Sequence, residues 1–133
     1  MREHASPFIE SLGIQVAQAG DGAARLMAMV DRNHLNFHGY AHGSFIFALA
    51  DEAFALACNS RGPAVARSVS LEFFSPVREG QLLEAVAREV YLGRRTSTYT
   101  VEVRSNGVLV ALFTGTAYRL GDTALPEGPH ERE

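Results

Sequence analysis

At 133 residues the chain has room for one domain and little more, and with 47% hydrophobic and 20% charged residues it reads as ordinary globular protein. A formal net charge of -3 argues against a nucleic-acid partner, which needs a basic surface, but leaves room for a local basic patch facing a phosphorylated small molecule. The single cysteine, Cys58, excludes an internal disulfide and zinc sites built on paired cysteines, and points to a reducing, cytoplasmic compartment.

The N-terminal segment MREHASPFIE carries no apolar run of signal-peptide length. Ser6 and Pro7 read as an N-cap and first helical position and Gly13 as a stop, which predicts a short helix over Pro7 to Leu12. Ala23 to Val30 reads as a strand after an Asp21-Gly22 turn, and Asp31 to Tyr40, polar, aromatic and rich in His and Asn, as a loop. Gly43 to Asn59 is the one long helix candidate: it has no Pro, many Ala and Leu, and no polar interruption except Asp51 and Glu52, so it should be buried. Those two acids follow only six apolar residues, Phe45 to Ala50, so no membrane span is expected. Arg61-Gly62-Pro63 ends the helix.

Beyond it the period changes to two. Val69, Leu71 and Phe73 alternate with Ser68, Ser70 and Glu72, and Tyr99, Val101 and Val103 with Thr98, Thr100 and Glu102, which predicts half-buried strands. Leu82 to Leu92 is a less regular strand, Asn106-Gly107 a hairpin turn, and Val108 to Tyr118 a returning strand. The segment from Gly121 onward is expected to fray. This order predicts an α+β domain in which an antiparallel sheet, its last four strands forming a meander, wraps around one long central helix.

Three features gather at the helix start: Asn36 in the loop before it, His42-Gly43 at its N-terminus and Asp51 within it. Unpaired amides at a helix N-terminus can polarise a carbonyl, and a glycine there lets a ligand approach. An acid in an apolar helix either lies with Glu52 on an exposed stripe or acts as a base or nucleophile. Gly43 and Asp51 are eight residues apart, or about 12 Å at ~1.5 Å per residue. One carbonyl therefore cannot meet both on a single helix, and a two-fold dimer would bring one chain's Gly43 toward the other's Asp51. His34, His38 and His42 recur every four residues, but the loop-like Asn-Phe-His-Gly stretch between them argues against a metal site. Arg94-Arg95-Thr96 opens a strand, either as solvated edge charges or as a phosphate contact. Asn59 and Arg61 are weaker candidates of the same kind. Phe37, Tyr40, Phe45 and Phe47 either line a pocket or belong to the core.

The run HGYAHGSFIFALADEAFALACNSRGPAVA, with GRRTSTYTVEV and LVALFTGTAYR, resembles the hotdog-fold thioesterases, and specifically their phenylacetate-degradation branch, over residues 8 to 120. The resemblance implies a single hotdog domain and hydrolysis of an acyl-CoA thioester, with aryl-acetyl groups as the expected acyl class. It implies Asp51 as catalytic acid, Gly43 as the amide that polarises the carbonyl, His42 as a residue that shapes the site, and Asn36 as one that places water or carbonyl. It favours CoA contacts for Arg94, Arg95 and Thr96. No cofactor is expected, CoA being part of the substrate, and the oligomer expected is a dimer as minimal unit, assembled into a tetramer. Ser44 departs from the more usual second glycine and is expected to narrow rather than close the acyl entrance. Two alternatives stand beside this reading: a hotdog dehydratase or hydratase, which pairs a His with an acid for α-proton chemistry, and a non-catalytic acyl-CoA-binding protein.

Overall fold

Two hairpins with the same turn chemistry bracket the fold. In the computed structural model, which describes residues 6–120, Asp21 (φ 53) and Gly22 (φ 75) join β1 (Gln15–Gly20) to β2 (Ala23–Met29). Asn106 (φ 52) and Gly107 (φ 80) join β5 (Thr96–Ser105) to β6 (Val108–Arg119). In each turn both central residues are left-handed, the geometry whose twist matches that of paired strands. The tail from Gly121 and the first five residues of the N-terminal segment lie outside the described residues.

The short helix α1 is Pro7–Ser11, with Ser6 accepting a hydrogen bond from Ile9 N–H and Leu12 as its C-cap. The central helix α2 spans Gly43–Asn59, as its composition predicts. The preceding loop contains a 3-10 turn at Arg32–His34, capped by Asp31. Strands β3 (Ala64–Phe73) and β4 (Leu82–Leu92) follow the helix.

Among the described residues six strands pair antiparallel in the order β1-β2-β4-β5-β6-β3. The expected four-strand meander is therefore corrected: of the four strands after the helix, β4, β5 and β6 are consecutive neighbours and β3 is not. Helix α2 leads the chain from β2 to the far edge, where β3 pairs with β6, and the chain then returns to lay β4 beside β2. Strand β1 was not expected at all, because QVAQAG has little strand propensity and no buried residue. The irregular pattern of β4 has a local cause in a bulge between Glu89 and Tyr91.

The helix fills the concave side of the sheet. Leu49, Ala50, Ala53, Phe54 and Ala57 are buried against Leu26, Leu83, Ala85, Tyr99, Val101, Val103 and Phe113. Phe54 meets the rings of Phe113 at 5.4 Å and Tyr99 at 5.9 Å. The close approach depends on Gly115, where a Cβ would stand 2.9 Å from the Phe54 ring. On β5 the predicted alternation holds, with every second residue buried. On β3 it does not: Val69 is 41% and Phe73 54% exposed. β3 is an edge strand, so although Leu71 packs on the core and Phe73 reaches Gly43 of α2, the helix covers its apolar residues only in part.

Candidate active site

The first amides of α2 define the site. His42 is the N-cap, and its Nδ1 accepts from Ser44 N–H at 3.1 Å. Phe45 N–H and Ile46 N–H both reach His42 O. The Gly43 amide takes part in no hydrogen bond among the described residues, so it is the donor that the helix start leaves open to a carbonyl oxygen. Its α-carbon is roofed by Phe73, whose Cζ would lie 3.2 Å from a Cβ placed there.

Asp51 is half-buried two turns further on. Desolvation raises its carboxyl above the ordinary value of 3.8, and no cation among the described residues pairs with it. Glu52 is raised too, by burial first and by the Asp51 charge second. Burial pushes the Cys58 thiol up to about 11, so Cys58 is a protonated core residue and no rival nucleophile.

Asn36 shapes the loop that leads into the helix. Its Oδ1 accepts from His38 N–H at 2.9 Å and Tyr40 N–H at 3.1 Å, and Gly39 (φ 88) completes the turn. These bonds engage Oδ1 and leave Nδ2 as the part of the side chain that faces other chemistry. His34 behind this loop is fully committed: Nδ1 accepts from Asp31 N–H, Nε2 meets Leu12 O at 2.8 Å, and the ring stacks on Phe45 at 3.7 Å. No group of three metal-ligating side chains occurs among the described residues.

Between the loop and the end of β3 lies an open cleft of about 380 Å³, lined by Asn36, Tyr40, Gly43, Ile46, Phe73 and Phe74 among others. Tyr40 is held there by Arg78, whose guanidinium sits 5.0 Å over its ring. Phe37, proposed beside Tyr40, stands 93% exposed at the loop tip, its ring tilted against that of His38. Phe45 and Phe47 pack inward, on His34 and Phe113. Sequence patterning missed Phe73 and Phe74 as cleft residues. β3 ends at Phe73, so Phe74 leaves the strand alternation and both rings line the cleft, which periodicity alone does not disclose.

A second, basic cleft of about 410 Å³ is lined by Arg67, Arg95, Thr96 and Tyr118. Thr96 opens β5 and pairs with Tyr118 of β6, and Arg94 is exposed beside them. Arg67 was also missed. It sits at the bulge between Ala66 and Ser68, which alternation alone does not disclose.

The opposite end of α2 is closed. Asn59 donates to Ala55 O at 2.8 Å and accepts from Ala64 N–H at 3.0 Å. Arg61 grips Glu89 with two bonds, at 3.0 and 3.2 Å, and Tyr99 donates to the same carboxylate. Arg61, expected as a weaker phosphate contact, thus has its charge answered within the chain, and Asn59 has both ends of its amide engaged.

Against known proteins, the thioesterase superfamily profile matches residues 38–112. The chain is 38% identical to the acyl-coenzyme A thioesterase PaaI of Escherichia coli, across 89% of this chain and 86% of that protein. A solved mutant of the phenylacetic acid degradation protein PaaI from Thermus thermophilus is 55% identical, covers 86% of this chain and 100% of its own, and superposes with a TM-score of 0.85. The structure of the E. coli PaaI protein superposes at 0.86, with 92% of this chain and 90% of that one covered, at 35% identity. With an antiparallel sheet wrapped on one helix, an open amide at that helix's first residue and relatives of this closeness, the chain is a hotdog-fold thioester hydrolase and belongs to the thioesterase superfamily, in its PaaI-like branch.

Proposed function

We propose that the protein hydrolyses acyl-CoA thioesters with aryl-acetyl groups, phenylacetyl or its ring-hydroxylated forms, as a cytoplasmic enzyme. The carrying observation is the unengaged Gly43 amide at the start of a helix that bears a half-buried, unpaired Asp51. The thioester oxygen rests on Gly43 N–H, and Asn36 helps to place carbonyl or water. Asp51 takes the proton of an attacking water, or attacks the carbonyl itself. The new C–O bond forms as the C–S bond breaks, and CoA leaves as thiolate to be protonated. His42 shapes the pocket beside Gly43. Tyr40 with Phe73 and Phe74 gives the acyl cleft flat apolar walls, and Arg67 with Arg94, Arg95 and Thr96 supplies the basic surface for CoA phosphates.

Gly43 and Asp51 of one chain stand too far apart for one carbonyl, about 12 Å by helical rise. The reading therefore takes a dimer as the minimal active unit, with a tetramer formed from two of them. The incompletely covered face of β3, with Val69 and Phe73 exposed, supports a partner there. A dehydratase reading is less favoured because His42 Nδ1, which would serve as base, already caps the helix.

Two measurements test the proposal. Thiol release from a panel of acyl-CoAs should show kcat/KM highest for aryl-acetyl-CoA; a clear preference for palmitoyl-CoA would refute the substrate class, and no release from any member would leave a binding protein. Mixing an Asp51→Asn chain with a Gly43→Leu chain, under conditions of subunit exchange, should return up to about half of wild-type activity per heterodimer, since one site then carries neither lesion. No recovery despite proven exchange overturns the shared site.

A further inference from the structure

The ring of Phe73 meets Gly43 at contact distance. A Cβ placed on Gly43 would lie 3.2, 3.6 and 3.9 Å from its Cζ, Cε1 and Cε2, the three nearest atoms outside the glycine's own turn of helix. The space between the helix start and the end of β3 is thus filled, with no room for one more methyl group unless the ring turns away. Both residues line the aromatic cleft, so the ring borders the place of a carbonyl held on the Gly43 amide. We infer that Phe73 is a specificity-determining residue that reads the acyl carbon next to the thioester carbonyl: an unbranched CH2 group passes, and a carbon bearing a further substituent is disfavoured.

The inference rests on the thioesterase reading above and deepens it. With the thioester oxygen on Gly43 N–H, the two other substituents of the carbonyl part ways. The sulfur leads toward the basic cleft at Arg67 and Arg95, and the acyl carbon into the aromatic one. That carbon is two bonds from the anchored oxygen, so its substituents fall within reach of the ring that touches Gly43. The backbone behind the ring is fixed: Phe73 pairs with Ala111, and Phe74 N–H donates to Val110 O at 2.8 Å. Of the other lining residues, Tyr40 is held by Asn36 Oδ1 and by the Arg78 guanidinium, and Ile46 is buried. Only the half-exposed Phe73 ring can swing, toward solvent, and it does so by giving up its contact with Gly43. Discrimination is therefore graded. An aryl-acetyl group meets the requirement, since its ring is set one unbranched carbon away from the carbonyl.

The experiment measures thiol release by the full chain from paired esters that differ by one methyl group at that carbon: phenylacetyl-CoA against 2-phenylpropanoyl-CoA, and hexanoyl-CoA against 2-methylhexanoyl-CoA. Wild type should favour the unbranched member of each pair by about tenfold or more in kcat/KM, the order expected for one methyl group in a tight apolar pocket. Phe73→Ala should bring the ratio to within about threefold, and Phe73→Leu, which keeps an apolar residue on the edge strand, to a value between. Phe74→Ala removes the other ring but leaves Phe73 on Gly43; it should lower kcat/KM for both members and keep their ratio. The intrinsic reactivity of each ester is common to all variants, so the change in ratio isolates the ring. A wild-type ratio near one overturns the inference, as does a ratio unmoved by both Phe73 variants or equally collapsed by Phe74→Ala. A preference for hexanoyl-CoA over phenylacetyl-CoA would refute the aryl class alone, with the hexanoyl pair still deciding the role of Phe73. No thiol release from any ester would refute the hydrolase reading, and the ratio of Kd values for the same pairs, by calorimetric titration of wild type and Phe73→Ala, then decides it.

Discussion

The two ends of helix α2 are built to opposite purposes. At its C-terminal end the side chains of Asn59, Ser60 and Arg61 are each answered from within the chain. Asn59 ties Ala55 to Ala64, Ser60 Oγ donates to Ala57 O and accepts from Gly22 N–H, and Arg61 is clamped on Glu89 while Arg119 donates to its carbonyl. At the N-terminal end Ala41 N–H reaches Val77 O and His42 N–H reaches His34 O, but the Gly43 amide is unengaged among the described residues, and an aromatic cleft opens alongside. A helix end whose hydrogen-bonding groups are all satisfied is a joint, and one that leaves a donor open next to an apolar cleft is a place for a ligand. Changes at the first end should therefore read out in stability, and changes at the second in kinetics.

The largest effect is expected at Asp51. Asp51→Asn removes the base and should lower kcat by about 10²-fold or more in the thiol-release assay. The same change should raise Tm at neutral pH. The folded carboxyl is raised above 3.8 by burial, so its contribution to stability is fully present below its unfolded value and lost as pH rises through the folded one. The gain in Tm should accordingly shrink as the pH falls toward 4. Near-wild-type turnover in a folded variant would remove Asp51 from the mechanism.

Two glycines set the comparison side by side. At Gly22 (φ 75) a Cβ would stand 2.6 Å from the Glu89 carboxylate, so Gly22→Ala should cost about 2 to 4 kcal/mol by urea unfolding while kcat of the folded fraction stays within about twofold. At Gly43 the backbone is ordinary, and the nearest obstacle is the movable, half-exposed Phe73 ring. Gly43→Ala should therefore leave stability within about 1 kcal/mol but lower kcat about tenfold, by crowding the approach to the amide. Equal losses of stability at both positions would dissolve the distinction between the two ends.

The basic cleft should show an intermediate effect on binding alone. Arg67→Ala and Arg95→Ala should each raise KM for acyl-CoA about threefold at low ionic strength, with kcat unchanged and the difference narrowing in high salt. An unmoved KM in both single variants and in the double variant would make the patch plain solvated surface. The smallest kinetic effect belongs to Asn59→Ala, which should cost about 1 kcal/mol of stability and alter neither constant. A raised KM there would return Asn59 to the phosphate-binding set.

Local chemistry made much of this protein legible from its residues. A 17-residue apolar helix without Pro over Gly43–Asn59, alternation on β5, the Asn106-Gly107 turn and an acid stranded at Asp51 each follow from a few neighbours in sequence, because propensity, period and turn geometry are short-range properties. The motif resemblance extended that reading to the fold and the family. Tertiary structure decided what depends on distant partners. β1 exists because the Asp21-Gly22 turn folds it onto β2, against weak propensity of its own. β3 left the expected meander for the edge beside β6, which exposed Val69 and Phe73. Arg61 and Arg95 are both arginines at element ends, yet Glu89, 28 residues away in sequence, binds the first into the scaffold, while Arg67 from the far strand joins the second in a cleft. A charge's role is set by which groups the fold brings to it, and that cannot be read from its immediate neighbours in the chain.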